Sequence, residues 1–431
     1  MTETASTGAT ERPDVLIVGA GLSGLRCANL LTTAGLQVQV LEAGDGVGGR
    51  VRTDRLDGFL LDRGFQVLLT AYPEAREALD YRGLELRPFE PGALVRVDGA
   101  FARVSDPFRR PRQAIATARA PVGTPLDKLR VARFRRRVTG PPLDDLLAAP
   151  DVTARQALTD AGFSEKIIER LFAPLFGGVL LDRSLEGSRR GLDLAYRMLA
   201  TGDAALPSAG IGAIAEQLRL ALPEGAVELR RRVTAVAPGE VTLDGGERRG
   251  ARAVVVATEA PAATRLLGGQ VADHGSLAVT CLYFAAEEAP VDEPLLVLDG
   301  DDEGVINHLC VPSVVAPTYA PAGAHLVSAT LLGTWGTSRD GDVSTLERQV
   351  RAQLAGWFGK AARGWRHLRT YWVHHAQPRQ RPGRPETLPR QARIHPGLYV
   401  CGDHTDVASM QGAFASARRA AEAVTADLGG Y

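Results

Sequence analysis

Residues 14–49 read DVLIVGAGLSGLRCANLLTTAGLQVQVLEAGDGVGG, and this stretch decides the fold class of the chain. The run from Val15 to Val18 is apolar without alternation, which is typical of a parallel strand covered on both faces. A helical stretch from Leu22 to Ala34 and a second apolar run from Leu36 to Leu41 follow it. Strand, glycine-rich turn, helix and strand in this order predict a βαβ unit of an α/β fold.

Three glycines between the first strand and the helix have the spacing G-x-G-x-x-G. Gly19 is predicted to make the tight turn, Gly21 to let backbone approach a pyrophosphate, and Gly24 to let the helix pack closely on the sheet. Leu22 and Ser23 begin the helix, where free N–H groups and the helix dipole favour negative charge. The stretch therefore predicts a dinucleotide site.

The acid at the end of the second strand limits the kind of dinucleotide. Glu42 is placed to accept hydrogen bonds from both ribose hydroxyls, and it would repel a 2′-phosphate. We therefore expect NAD or FAD rather than NADP. Ala43 follows Glu42 and is predicted to contact the same part of the dinucleotide.

The next residues decide between these two dinucleotides. From Glu42 the chain reads E-x-G-x-x-x-G-G-R-V-R, with Gly49, Arg50 and Val51 at its end. The glycine pair would let a second backbone segment lie against the pyrophosphate, and Arg50 would supply a charged, fork-shaped donor. This element resembles the second fingerprint of the amine oxidase and phytoene desaturase superfamily of flavoproteins, which nicotinamide dehydrogenases lack.

The resemblance implies FAD, bound without a covalent link, and it continues along the chain. The family's strand that ends in Gly-Asp, for instance, places its acid at the ribityl chain, and the helix after it points its N-terminus at the flavin ring. The further cofactor contacts implied in this way are Gly64, Phe65 and Gln66 beside the ring, Val233 at the adenine, Ala257 and Thr258 at the end of an apolar strand, Gly402 and Asp403 at the ribityl chain, and Met410, Gln411, Gly412 and Ala413 in the last helix.

These segments lie far apart in sequence, so the predicted architecture has two domains. Residues 12–85, 206–271 and 390–431 are predicted to form a discontinuous, Rossmann-like FAD-binding domain. Residues 86–205, which are helix-rich, and 272–389, which are strand-rich, would form a second, α+β substrate domain. The fold class is therefore α/β, with the pocket expected between the domains.

Composition agrees with a soluble enzyme. The formal net charge is +0, so no overall field recruits nucleic acid. No apolar run approaches the roughly 20 residues of a membrane span, and the N-terminal residues have no signal-peptide core, so we expect a cytoplasmic protein. The 4 cysteines show no C-x-x-C spacing, and no His and Cys cluster has the spacing of metal ligands.

The catalytic residues are harder to identify from the sequence than the cofactor contacts. In the amine oxidases a lysine near flavin N5 lies on a substrate-domain strand that resembles 275–284, and Thr280 has the lysine's place. Trp372 has a place similar to the family's strand tryptophan, either beneath the ring or in the core. His404 and Asp406 follow the ribityl acid as candidate acids or bases, or as loop residues bound to backbone.

The missing lysine separates this chain from the amine oxidases. Their aromatic pair beside the substrate is also incomplete, since Ser409 and Met410 precede the last Gly-Ala. Residues 372–383, WVHHAQPRQRPG, resemble a segment of the desaturase, carotenoid isomerase and protoporphyrinogen oxidase branch instead. We therefore expect an oxidoreductase that acts by hydride transfer to flavin N5 on an apolar conjugated molecule, such as a polyene or a porphyrinogen.

Two other hypotheses stay open from the sequence. One is a flavin oxidase of amines or amino acids, and the other is a flavin-binding partner protein without catalysis. The substrate, the electron acceptor and the oligomeric state are not encoded in any motif.

The basic segment, residues 103–137, bears on the partner. Arginines alternate with apolar residues there, and acids are few. Such a segment fits peripheral contact with an anionic bilayer, an acidic ligand, or a solvated helix face paired with acids elsewhere. Nucleic acid is excluded as a partner because no fold that reads it accompanies the charge.

Overall fold

The computed structural model describes residues 12–335, 343–383 and 388–429. Its strands are β1 (Val15–Val18), β2 (Val38–Leu41), β3 (Thr53–Leu56), β4 (Phe59–Asp62), β5 (Leu68–Leu69), β6 (Arg87–Pro88), β7 (Gly92–Val97), β8 (Ala100–Ser105), β9 (Ala204–Leu206), β10 (Val227–Glu228), β11 (Val233–Ala237), β12 (Glu240–Leu243), β13 (Arg248–Gly250), β14 (Ala253–Val256), β15 (Ser276–Ala286), β16 (Leu296–Asp299), β17 (His308–Cys310), β18 (His325–Leu332), β19 (Arg366–Pro378), β20 (Arg393–His395) and β21 (Leu398–Val400).

The α-helices alternate with these strands along the chain. They are α1 (Leu22–Thr33), α2 (Pro73–Ala78), α3 (Ala114–Arg119), α4 (Pro125–Thr139), α5 (Leu143–Ala148), α6 (Ala154–Asp160), α7 (Glu165–Ile167), α8 (Ala173–Leu180), α9 (Arg189–Thr201), α10 (Ala213–Leu220), α11 (Ala260–Leu266), α12 (Pro312–Val315), α13 (Val343–Phe358) and α14 (Met410–Leu428). A π-helical turn, Ile168–Phe172, joins α7 to α8.

The parallel sheet confirms the predicted α/β, Rossmann-like fold. Its strand order is β10-β2-β1-β14-β21-β20, with β20 antiparallel at the edge. Val15 lies beside Val38 on one side and Ala253 on the other. Val15 and Ile17 are buried in the same core as residues of α1 and α14, while Leu16 and Val18 are buried on the opposite face. Both faces are covered, which is why β1 shows no polar alternation.

A second, mostly antiparallel sheet holds the other half of the molecule. Its order is β19-β15-β18-β17-β16-β7-β8. The hairpin β7–β8 joins this sheet from a stretch that the sequence presented as helix-rich, and β7 pairs parallel with β16. Helices α4 to α9 pack beside it around an aromatic core that contains Phe134, Phe163 and Phe172. The domain boundaries themselves stay a prediction.

Asp62, at the end of β4, ties the two halves together. Its Oδ1 accepts hydrogen bonds from the Thr53 hydroxyl at 2.6 Å and the Ile211 backbone N–H at 3.0 Å, and its Oδ2 accepts one from the Tyr319 hydroxyl at 2.8 Å. Burial raises the pKa of this carboxyl from 3.8 to about 6, against these three donors.

Two kinds of feature are absent from the residues that the structure describes. Within 12–335, 343–383 and 388–429, no helix combines the length and apolar character that crossing a membrane requires. The same residues contain no cluster of His, Cys, Asp and Glu that could hold a metal ion.

Candidate functional site

One large cavity, of about 900 Å³, runs from the parallel sheet to the second sheet and its helices. It is lined by most residues for which a cofactor contact was predicted. These are Gly19, Gly21, Leu22, Ser23, Glu42, Ala43, Gly49, Arg50, Val51, Gly64, Phe65, Gln66, Val233, Ala257, Thr258, Gly402, Asp403, Met410 and Ala413.

The glycines of the first turn have the geometry that their predicted roles require. Gly19 has a φ of +106°, which favours glycine. A Cβ on Gly24 would lie 1.9 Å from the Gly19 carbonyl oxygen, so Gly24 serves helix packing and does not line the cavity. A Cβ on Gly21 would meet no protein atom within 4 Å, and a Cβ on Gly49 would lie 3.6 Å from the Gly21 Cα. Gly21 and Gly49 thus flank one open space.

Helix α1 begins at this open space without a side-chain cap. Gly21 is its N-cap residue and offers no side chain to accept a hydrogen bond. The first N–H groups of the helix therefore lack the usual intramolecular partner, and no acidic residue occupies the first turn. Such an N-terminus, open to a cavity, is suited to a phosphate or pyrophosphate.

Glu42 already holds backbone groups of the same site. Its Oε2 accepts the Ala20 N–H at 2.8 Å, and its Oε1 accepts the Gly44 N–H at 2.7 Å. A carboxylate has about four lone-pair directions, so each oxygen can accept one further donor. The predicted contact with ribose hydroxyls is compatible with this geometry and stays a prediction.

Arg50, predicted as a donor near the pyrophosphate, lines the cavity and is held by two protein acceptors. Its Nη2 lies 2.8 Å from Oδ1 of Asp403, and its Nη1 donates to the Ala376 carbonyl at 2.8 Å. Gln66 donates to the Arg50 carbonyl at 2.9 Å. The guanidinium therefore joins the segment after β2, the end of β19 and the loop after β21. The sequence pattern missed this pairing because the partners are 353 residues apart.

The start of α14 faces the cavity in part. The Ser409 hydroxyl caps the helix by accepting the Gly412 N–H at 3.0 Å. Met410 and Ala413 line the cavity, whereas Gln411 is turned away, with its Oε1 accepting the Glu74 N–H at 3.1 Å. A Cβ on Gly412 would lie 2.1 Å from the Val407 carbonyl oxygen. Gly412 is needed for the fold of the preceding loop rather than for contact with the cavity.

Two of the predicted catalytic residues lie away from the cavity. The Thr280 hydroxyl donates to the Gly333 carbonyl at 2.9 Å, and Trp372, its cross-strand neighbour, donates from Nε1 to the Trp335 carbonyl at 2.7 Å. Because side chains alternate along a strand, the neighbouring pair Val279 and Val373 lines the cavity instead. The segment that the resemblance indicated lies in β15, and Thr280 lies on the face opposite to the one that borders the cavity, so its predicted role stays a prediction.

His404 and Asp406 do not line the cavity either. Asp406 forms an ion pair with Arg419 at 2.6 Å and accepts the Val407 N–H at 2.7 Å, which fixes the loop before α14. The two ring nitrogens of His404 are buried and have no hydrogen-bond partner among the described residues. Burial lowers the pKa of His404, so its ring is neutral at pH 7.

The far end of the cavity is apolar and was not predicted residue by residue. Phe172, Phe176 and Tyr196 line it together with aliphatic side chains of α8 and α9. The sequence showed the helices of this region, but not which of their faces border the cavity. At the outer end the lining becomes polar and includes Arg109 and Arg135 of the basic segment.

His308 is the titratable residue of this end that the sequence missed. Its ring lines the cavity, with 3% of the residue exposed, and packs edge-on to Phe65 with ring centroids 5.3 Å apart. Burial lowers its pKa to about 4. In the sequence, the only indication that His308 lines the site was its position as a polar residue at the start of an apolar strand, β17.

The comparisons with known proteins agree with this geometry. The family model for flavin-containing amine oxidoreductases matches residues 22–425. An L-amino-acid oxidase of Sistrurus catenatus edwardsii is 49% identical over 82 residues, which are 19% of this chain and 16% of that protein. The match therefore spans about a sixth of that relative's length.

Two solved structures share the fold over nearly the whole chain. A putative protoporphyrinogen oxidase from Exiguobacterium sp. 255-15 has a TM-score of 0.69 and 17% identity, covering 96% of this chain and 98% of its own. Cyclohexylamine oxidase from Brevibacterium oxydans IH-35A has a TM-score of 0.72 and 18% identity, covering 97% and 100%. At these identities the likeness establishes the fold alone, and the family match carries the assignment. This chain is a flavin-dependent oxidoreductase that belongs to the flavin-containing amine oxidoreductase family.

Proposed function

We propose that this enzyme binds FAD without a covalent link and oxidises, desaturates or isomerises an apolar conjugated molecule. The observation that carries the proposal is the apolar end of the cavity. It begins at Val279 and Val373, which lie 3.8 and 3.6 Å from the position of a Cβ on Gly64, and it continues past the aromatic residues of α8 and α9. A flexible, charged amine would lose its hydration there, and the carboxylates of Glu90 and Asp106 that also line the cavity are already paired with Arg110 and Arg135.

The cofactor end of the cavity fits FAD. The uncapped start of α1, the open space at Gly21 and Gly49 and the carboxylate of Asp403 suit a pyrophosphate and a polyol chain. Thr258 lines the cavity, and its hydroxyl is buried with no partner among the described residues, as expected where a ligand supplies one. A bound flavin supplies the hydride acceptor, and the protein positions the substrate and excludes water.

In this proposal the chain's own residues orient the substrate beside Gly64. Val279 and Val373 present methyl groups, and Phe65 presents an aromatic edge, next to Gly64. These side chains exclude water from the segment where a C–H bond would face the flavin, and they fix a planar conjugated molecule by contact rather than by charge.

Anaerobic mixing with candidate substrates tests the proposed reaction. We expect a polyene or porphyrinogen to bleach the flavin, or to be isomerised while the flavin stays oxidised, which product chromatography detects. A flavin-free Gly21→Val variant should form neither product. The second candidate function is an amine or amino-acid oxidase, and the partial match to an L-amino-acid oxidase supports it. Bleaching by amines or amino acids alone, with hydrogen peroxide formed in air, would favour this second function.

We further propose that the mouth of the cavity contacts an anionic membrane, from which an apolar substrate would enter. The mouth surface consists of two exposed helical stripes that combine arginine with apolar side chains. Around α3 the stripe has the spacing i, i+3, i+7, and on α4 it has i, i+3, i+7, i+10, so each set shares one face. The members are Arg112, Ile115 and Arg119, and Leu126, Leu129, Arg133 and Arg136.

Exposure and charge support this contact. Ile115 is 66% exposed and Leu129 is 71% exposed, which is unusual for large apolar side chains. The arginines of the two stripes form no ion pair among the described residues, whereas Arg109 and Arg135 beneath them are paired with Asp203 and Asp106. Unpaired arginines beside exposed apolar groups suit the headgroup region of an anionic bilayer.

A further inference from the structure

We infer that His308 offers a fixed N–H donor to an uncharged oxygen acceptor on the substrate, such as a carbonyl group. This inference rests on the proposed function and narrows its substrate class. It selects an apolar molecule that carries one oxygen acceptor near the reacting carbon, rather than a pure hydrocarbon.

The first step is the orientation of the Asn307 side chain. Its Nδ2 lies 2.9 Å from the Pro174 carbonyl oxygen, which can only accept a hydrogen bond. Its Oδ1 lies 3.2 Å from Nη1 of Arg183, which can only donate one. Both neighbours therefore require the same orientation, with the amide nitrogen on the side of Pro174.

The second step is the tautomer of His308. The Asn307 amide nitrogen also lies 3.0 Å from His308 Nδ1. Since this nitrogen is a donor, Nδ1 must be the acceptor, and a neutral imidazole then carries its proton on Nε2. Protonation of Nδ1 would set two donors against each other, which agrees with a ring that stays neutral at pH 7.

The third step is that Nε2 has nothing to donate to within the described residues. It is buried without a hydrogen-bond partner among these residues, and His308 is one of the residues that line the cavity. The Phe65 ring beside it is only a weak acceptor. An unpartnered buried donor costs free energy, so a ligand oxygen that accepts from it would be bound selectively.

The position of this donor suits the proposed reaction. Phe65 follows Gly64, which lies against the valine pair of β15 and β19, so the donor is at the inner end of the apolar cavity. Polar side chains of the cavity mouth, such as Arg135, bind their own partners at the other end. The inner end thus offers one oriented hydrogen bond in apolar surroundings. We expect this hydrogen bond to determine the orientation of the substrate more than its affinity.

A matched ligand pair tests the inference. Benzophenone and diphenylmethane differ only in a carbonyl group against a methylene, and changes in the flavin absorption spectrum report their dissociation constants. Between the native enzyme and His308→Leu, we expect the preference for the ketone to fall about fivefold to tenfold. The carbonyl stretching frequency of bound benzophenone should rise in the variant, because its hydrogen bond is lost.

Thr330→Val is the control variant. Thr330 lies opposite His308 in the sheet, and its hydroxyl is also buried without a partner in the part of the chain that the structure describes. If a fixed water joins these two groups, both variants will change ligand affinity equally and the carbonyl frequency will not move, which would overturn the inference. We expect Thr330→Val to leave the ketone preference unchanged.

The tautomer can be measured without any substrate. In protein labelled with ¹⁵N-histidine, the ring nitrogen shifts of His308, assigned with His308→Gln, should show Nε2 protonated and Nδ1 bare. The opposite tautomer would refute the inference even if the variants fold poorly. A preparation that binds no flavin would refute the proposed function. The nitrogen shifts would still show which tautomer of His308 is present.

Discussion

The two ends of the cavity are built in different ways. At the cofactor end, residues 14–51 contribute mainly backbone: glycines, the uncapped start of α1 and strand ends within one continuous stretch of sequence. The substrate end is formed by side chains from α8, α9, β15, β17 and β19, which meet only through tertiary packing. Backbone sites depend on local spacing, whereas side-chain sites depend on which face each element turns inward. The first kind can be recognised in a sequence far more readily than the second.

Substitution of Gly21 gives the largest expected effect and tests the cofactor end. In Gly21→Val the new Cβ meets no atom of the described residues within 4 Å, so the chain should fold, but the valine side chain fills the space beside Gly49. We expect complete loss of bound flavin, measured by visible absorption of the purified protein. Far-ultraviolet circular dichroism should stay unchanged.

Gly356→Val is the control for this substitution. Gly356 lies in α13, where a Cβ also meets nothing within 4 Å, and it does not line the cavity. Flavin should be retained in this variant. Full retention in Gly21→Val as well would mean that the pyrophosphate lies elsewhere.

The pH dependence of the free energy of unfolding tests the role of Asp62, whose hydrogen bonds join the two halves of the molecule. The pKa of Asp62 is raised from 3.8 to about 6 by burial, so the folded protein holds a proton there that the unfolded chain releases. The free energy of unfolding gained from this group is therefore present below pH 3.8 and lost as the pH rises through about 6. The change amounts to at most about 3 kcal/mol.

Denaturant unfolding at several pH values measures this effect. Asp62→Asn cannot ionise, so its free energy of unfolding should lose the fall between pH 4 and pH 6 that the native protein shows. An equal fall in both proteins would assign the pH dependence to other groups. Because Asp62 accepts hydrogen bonds from both halves, a fall seen in the native protein alone would assign the proton to a carboxyl that lies between them.

Vesicle binding tests the opening of the substrate end. Each arginine near an anionic surface contributes about 1 kcal/mol, so Arg133→Gln with Arg136→Gln should weaken binding about thirtyfold. Sedimentation with vesicles of phosphatidylcholine and phosphatidylserine measures the partition. Arg55→Gln with Arg82→Gln removes two exposed arginines outside the mouth surface and should leave binding unchanged. Equal loss in both pairs would reduce the contact to non-specific charge attraction.

Much of the cofactor end could be predicted from the sequence, and the reasons are local. The G-x-G-x-x-G turn, Glu42 and the glycine pair follow one another within 14–49, and their spacing fixes their geometry. The contact of Arg50 with a pyrophosphate stays a prediction, and its ion pair with Asp403 could not be predicted because the two residues meet only through tertiary structure. Thr280 does not line the cavity whereas its neighbour Val279 does, because a strand turns alternate residues to opposite faces and no pattern in that apolar run marks which face is inward.

The ion pair between Arg50 and Asp403 gives the smallest expected effect and compares two pairs of equal length. Arg50 to Asp403 and Arg52 to Asp45 are both 2.8 Å apart, but 9% of the Asp403 side chain is exposed against 62% of that of Asp45. Asp403→Asn keeps a hydrogen bond but loses its charge, so flavin should bind about fivefold more weakly. Asp45→Asn should produce no measurable change, because water screens an exposed pair. Equilibrium dialysis against FAD measures both. Equal retention of FAD in the two variants would show that Asp403 fixes the loop after β21 without supporting the cofactor, and the backbone would then carry the cofactor end alone.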